Sequence, residues 1–135
     1  MKSFLIFFVS LPVYGFTPNT VTTGSSLMRV EAAIISNSGT PTVAYETSDW
    51  LAVPTDNGSG DTTLVINNGV FGVAPACTCS VINATAAGNT RTCNFLSTPT
   101  TTAARALTDS ATDTAGTTGV ARVDNDFSVF CMGHR

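Results

Sequence analysis

The chain has 135 residues, enough for one domain with a single hydrophobic core. Only 11% of it is charged, the net charge is −3, and the arginines (Arg29, Arg91, Arg105, Arg122, Arg135) are scattered, which excludes the clustered basic footprint that nucleic acid requires. The one histidine, His134, stands next to the C-terminus, so a triad or dyad built on a firmly held imidazole is excluded as well.

Residues 1–15 place Lys2 ahead of the apolar run Phe4-Leu5-Ile6-Phe7-Phe8-Val9, broken near its end by Pro12. This is the profile of a secretory signal peptide cut ahead of Phe16, too short to cross a bilayer as a lone anchor. No later apolar stretch approaches the roughly 20 residues of a spanning helix, so no membrane insertion is expected after cleavage. Residues 16–26, rich in Thr and Ser with Pro18 and Gly24, read as a flexible N-terminal arm, and 27–135 as the folded domain.

Within that domain, residues 27–36 alternate as a strand, with Met28, Val30, Ala32 and Ile34 assigned to the core and Arg29 and Glu31 to the other face. Asn37-Ser38-Gly39-Thr40-Pro41 is turn chemistry, and residues 42–46 and 49–53 read as two short strands. The loop Asp56-Asn57-Gly58-Ser59-Gly60-Asp61 leads into a strand at 62–67 and makes a hairpin; it lacks the acidic spacing and terminal Glu of a calcium loop. After the turn Asn68-Gly69, residues 70–82 are extended, with Pro75 marking a bulge or edge. Residues 92–96 return antiparallel after a turn at Ala87-Gly88-Asn89. Residues 97–126 are Thr- and Ala-rich with few large apolar side chains, and predict thin strands and long loops. The closing strand puts Phe127, Val129 and Cys131 on one face and Phe130 and Met132 on the other, so it is expected to be covered on both, by a second sheet and by a neighbouring subunit. Short strands without helical periodicity give an all-β, antiparallel sandwich of jelly-roll type.

Cys77, Cys79, Cys93 and Cys131 are even in number in an exported chain and read as two disulfides rather than a zinc site, whose ligand spacings they do not match. Cys77 and Cys79, one residue apart in a strand, point the same way and cannot easily bridge. One of them therefore pairs with Cys93 and the other with Cys131, and Cys79–Cys93 with Cys77–Cys131 is the preferred arrangement. No metal or other cofactor is called for.

The carboxylates offer no preferred glycosidase pair, and neither a phosphate-cradling glycine loop nor a nucleophile elbow is present. The expectation is a protein without catalytic machinery. For a binding role, Tyr45 and Trp50 are the aromatics that could stack on a sugar, and Asp49, Asn89 and Arg91 could hydrogen-bond its hydroxyls. A lone Trp in a small sandwich is more often packed inside, and Arg91 is the better exposed candidate. Asn57-Gly58-Ser59 and Asn83-Ala84-Thr85 fit the glycosylation sequon.

Three stretches together, Arg29-Val30-Glu31-Ala32-Ala33, Asn68-Gly69-Val70-Phe71 leading to Cys77-Thr78-Cys79, and Phe127-Ser128-Val129-Phe130-Cys131-Met132-Gly133, resemble the C-terminal head modules of bacterial and phage trimeric surface fibres, including the mosaic adhesive trimers of predatory bacteria. More loosely they resemble the C1q and tumour-necrosis-factor-like jelly roll. Fibre proteins carry a long stalk ahead of the head, where this chain has only the short arm. The resemblance implies a homotrimer, secreted or displayed at a cell or virion surface, that recognises a surface ligand, expected to be a glycan. The alternative is a structural subunit of an extracellular or virion assembly.

Overall fold

The computed structural model describes residues 20–23, 26–82, 89–114 and 117–135. The expected signal peptide, residues 87–88 of the expected turn and the sequon at Asn83 lie outside the described residues, as does the expected arm apart from residues 20–23 and Ser26; Asn89, expected in that turn, begins a strand. Alternating and β-branched segments form ten strands: β1 (Thr20–Thr23), β2 (Ser26–Asn37), β3 (Pro41–Glu46), β4 (Thr55–Asp56), β5 (Asp61–Val65), β6 (Ala76–Val81), β7 (Asn89–Phe95), β8 (Ala103–Thr114), β9 (Thr117–Arg122) and β10 (Phe127–His134). All pairings are antiparallel, and no helix occurs among the described residues.

Two five-stranded sheets result. In the first, β2 lies between β10 on one side and β1 and β3 on the other, and β6 follows β10. In the second, β8 is central, with β7 on one side and β5 and β9 along the other, and β4 beyond β5. Five described residues of the expected arm, Thr20–Thr23 and Ser26, are thus paired, with Thr20–Thr23 lying antiparallel to Ser26–Arg29.

The inner faces meet over Ile35, Leu64, Phe127, Val129, Trp50 and Phe71, all buried, and Trp50 meets Phe71 edge to face at 6.3 Å and 83°. Such a pairing adds to the area that each ring buries. As expected, the inward residues of β10 are Phe127, Val129 and Cys131.

On β2 the expected core face is reversed. Glu31, Ala33, Ile35 and Asn37 point inward, and Val30, Ala32, Ile34 and Ser36 outward. Because strand side chains alternate strictly, a one-residue error in parity moves the whole set. Burial of Glu31, which is 0% exposed, is made tolerable by its hydrogen-bond partners. Its carboxylate takes a hydrogen bond from Arg29 Nε, one from Thr47 Oγ1 and one from Ser48 Oγ, the last at 2.8 Å. A buried charge that is paired and hydrogen-bonded escapes most of the desolvation penalty.

Two other expectations are corrected. Residues 49–53 form a bend at Asp49 and irregular chain rather than a strand, held by the Glu46 carboxylate, which accepts the backbone N–H groups of Trp50 (2.9 Å) and Leu51 (3.0 Å). Only Leu51 keeps an isolated bridge, to Ile66. The Thr- and Ala-rich segment, expected to be thin, supplies the 12-residue central strand β8. Its inward positions are the small residues Ala104, Ala106, Thr108 and Ser110, all buried. Pairing on both sides and small side chains facing the other sheet replace bulk as the source of stability.

Both disulfides form, in the preferred pairing. Cys77–Cys131 joins directly opposed residues of β6 and β10, with Cα atoms 4.1 Å apart. Cys79–Cys93, Cα atoms 5.6 Å apart, ties edge strand β6 of the first sheet to edge strand β7 of the second. Two disulfides suit an oxidising, extracellular location.

Candidate interaction face

The outer surfaces of the two sheets differ in kind. On the second sheet, Asp61, Arg105, Asp109 and Arg122 share the outward parity of β5, β8 and β9. Asp61 is held by Arg105 Nε (2.8 Å) and Nη2 (2.6 Å), by Arg122 Nη1 (3.3 Å) and by Asn57 Nδ2 (3.2 Å). The hydrogen bonds from Arg105 keep the Asp61 carboxyl below its ordinary range, against a smaller opposing push from burial. This surface is charge-compensated: Asp61 is itself buried with its carboxylate oxygens spent on guanidinium and amide donors, while the Arg105 and Arg122 side chains are 44% and 47% exposed.

On the first sheet, the outward positions are Met28, Val30, Ala32, Ile34 and Ser36 on β2, Ser128, Phe130, Met132 and His134 on β10, Ala76, Thr78 and Ser80 on β6, and Thr42 and Tyr45 on β3, with no carboxylate, lysine or arginine among them and His134 at one end. Tyr45 is 59% exposed, Phe130 44%, Met132 41% and Ile34 38%. The register sets them side by side: Tyr45 opposite Ile34, Ile34 opposite Ser128, and Phe130 between Ala32 and Thr78. A depression of about 320 Å³ runs across this face, bordered by Ile34, Tyr45, Thr78, Ser80, Ser128 and Phe130. Four strands abreast and the length of β10 give the whole face, its serines and threonines included, a footprint on the order of 450 Å²; the largest apolar patch of an ordinary monomer is of this order and is often functional.

The five residues proposed from sequence for sugar contact do not converge. Tyr45 is exposed at the rim of the apolar face, and Asp49 is exposed in the bend that follows, its carbonyl accepting Asn67 Nδ2 at 3.0 Å. Trp50 is fully buried, and its Nε1 donates to the Ala32 carbonyl at 3.2 Å, so its ring is part of the core and offers no stacking surface. Arg91 has inward parity on β7, is half-buried, and donates from Nη1 to Oδ1 of buried Asn125 at 2.6 Å. It braces the second sheet instead of standing exposed. Asn89 opens β7 opposite Thr112, also on the second sheet, with its side chain outside the described residues.

Six of the nine carboxylates are engaged: Glu31, Asp61 and Glu46 as above, Asp56 with Gly58 N, Asp124 with Gly60 N, and Asp126 with Ser36 Oγ and Asn37 N. No group of three or more metal-ligating side chains is gathered among the described residues. The parity of Phe130 and Met132 was readable from sequence; Ile34 and Ala32 were missed because they had been assigned inward. Compared with known proteins, the chain matches no family model, no curated protein and no solved structure.

Proposed function

We propose that the protein is a non-catalytic, secreted module of jelly-roll type that assembles as a homotrimer through the outer face of its first sheet, and serves at a cell or virion surface as a binding head. The observation that carries this reading is the uncharged apolar face around Ile34, Tyr45, Phe130 and Met132, set against a second sheet whose outer surface is charged. Packing such a face against neighbouring subunits removes apolar area from water without stranding any charge. A closed symmetric assembly is the usual outcome for identical subunits. Engagement of six of the nine carboxylates supports a role without catalysis, since an acid–base pair needs groups left available for substrate. The glycan as ligand, and the trimer as the closed form, are carried by the likeness to fibre heads.

The burial of Trp50 and the inward tie of Arg91 favour a second reading, a structural subunit of an extracellular or virion assembly, because they withdraw two of the five expected sugar contacts. The molar mass of oxidised residues 16–135 by size-exclusion chromatography with light scattering tests the common core of both. A trimer is expected, dissociating to a folded monomer in Phe130→Glu. A monodisperse wild-type monomer overturns the proposal. With a trimer in hand, a glycan array separates a binding head, which gives a saturable hit, from a structural subunit, which gives none.

A further inference from the structure

The chain contains two Asn-Gly steps, Asn57-Gly58 and Asn68-Gly69, and the fold treats them oppositely. At an Asn-Gly step the following amide nitrogen can attack the Asn Cγ unhindered, because glycine has no Cβ in the way. The side-chain nitrogen leaves as ammonia, and water opens the resulting succinimide at either carbonyl, giving aspartate or isoaspartate. Water is the only co-reactant and no electrons change hands.

At the first step both reacting groups are occupied. Asn57 Nδ2 donates to Thr63 Oγ1 at 2.8 Å and to Asp61 Oδ1 at 3.2 Å, and Gly58 N donates to Asp56 Oδ1 at 2.8 Å. The Asn57 side chain is therefore held away from an amide nitrogen that is itself engaged. At the second step, Asn68 and Gly69 form the exposed tip of the turn closed by Val70 N to the Asn67 carbonyl at 3.3 Å. Gly69 has φ +78°, with nothing within 4 Å of the place a Cβ would take. Among the described residues neither the Asn68 amide nor the Gly69 N–H has a hydrogen-bond partner.

We infer that Asn68 is a spontaneous deamidation site in the folded protein and that Asn57, despite the same dipeptide, is protected. The position matters for the fold. Isoaspartate inserts a methylene into the main chain of a turn whose next two residues, Val70 and Phe71, are buried, Phe71 against Trp50. The turn is also anchored by Asn67 N to the Trp50 carbonyl at 2.9 Å. Modification at Asn68 thus loosens the seat of the largest aromatic pair in the core.

The test incubates oxidised residues 16–135 at mildly alkaline pH and compares it with reduced, denatured chain under the same conditions. Peptide mapping with a cut at Leu64 separates the two steps, and isoaspartyl methyltransferase labelling gives an independent readout. Folded protein is expected to convert at Asn68 and not at Asn57, the denatured chain at both, and Asn68→Ser to lose the label in the folded state. Aged wild type is expected to unfold at lower denaturant than Asn68→Ser aged beside it. Conversion of Asn57 in the folded protein at a rate matching Asn68, or an Asn68 that converts only when denatured, overturns the inference.

Discussion

Replacing Glu31 by Leu tests how the reversed strand β2 is stabilised. On hydrophobicity alone the substitution should help, since it puts an apolar side chain at a position that is 0% exposed. The structure predicts the opposite. Glu31 is the acceptor for Arg29 Nε, Thr47 Oγ1 and Ser48 Oγ, and Arg29 keeps only 20% of its side chain exposed. Removing the carboxylate leaves that guanidinium partly buried with Ser48 Oγ as its remaining hydrogen-bond partner among the described residues, at 3.0 Å. Breaking a buried pair on one side costs about 3–5 kcal/mol, a large fraction of the roughly 5–15 kcal/mol that holds a domain folded. With a urea slope of about 2 kcal/mol per molar, the unfolding midpoint of oxidised residues 16–135 should fall by about 2 M. The double variant Arg29→Met/Glu31→Leu removes both charges and should recover most of the loss, because two apolar side chains of similar volume substitute for a buried pair at little cost. Urea unfolding followed by Trp50 fluorescence reads all three. A Glu31→Leu midpoint at or above wild type would refute the account, as would a double variant no better than the single.

The lowered carboxyl of Asp61 implies an acid limb to stability: its contribution is complete above the ordinary carboxylate value of 3.8 and is lost as pH falls through the lower folded value, and Asp61→Asn should flatten that limb in pH-dependent urea unfolding. Gly60→Ala should be strongly destabilising by thermal unfolding, because φ is +65° and the new Cβ would stand 2.4 Å from the Thr108 carbonyl oxygen; Gly58→Ala, at φ +117° with nothing within 4 Å, meets only backbone strain and should cost about 1 kcal/mol. Removing Cys79–Cys93, which spans 14 residues, should cost about 3 kcal/mol and removing Cys77–Cys131, which spans 54, about 4 kcal/mol, on loop entropy measured by denaturant unfolding. Deleting residues 16–26 strips the partner of Leu27–Arg29 from the first sheet; loss of assembly by light scattering would favour the structural-subunit reading, and a retained trimer the self-contained head.

Legibility followed how much the local pattern leaves undecided. Strand β10 was readable because Ser128 interrupts its apolar residues and fixes the parity of Phe127 and Val129. The disulfide pairing was partly readable: two cysteines one residue apart in a strand cannot easily bridge each other, which left two arrangements, and only the return of residues 92–96 beside Cys79 favoured the one observed. On β2 the run Ala32-Ala33-Ile34-Ile35 satisfies either parity, so the decision fell to Arg29 and Glu31. Both look like solvent residues until Thr47 and Ser48, in a distant bend, are known to meet the carboxylate. That long-range polar satisfaction has no local signature. Strand β8 failed for a related reason: Ala, Thr and Ser have weak hydrophobic periodicity, and their place in the sheet is set by partners on both sides.

The candidate face was half legible, and the missing half follows from the same reversal. Phe130 and Met132 were placed outward by their parity against Phe127 and Val129, but a strand with apolar residues on both faces signifies a second covered surface only if its neighbours are apolar there too. Assigning Ile34 and Ala32 inward left β10 beside the polar face of β2, so no continuous patch could be drawn from sequence. Once Glu31 turns inward, Ile34 and Ala32 turn outward with it, opposite Ser128 and Phe130. Burial of one paired carboxylate and creation of the apolar face are therefore one structural event. It follows that the register of β2, and not the composition of the surface, is what the proposed assembly depends on. A variant that unseats Glu31 should weaken association even though it alters no residue of the face, and a Glu31→Leu protein that remained folded and fully trimeric by light scattering would break this link.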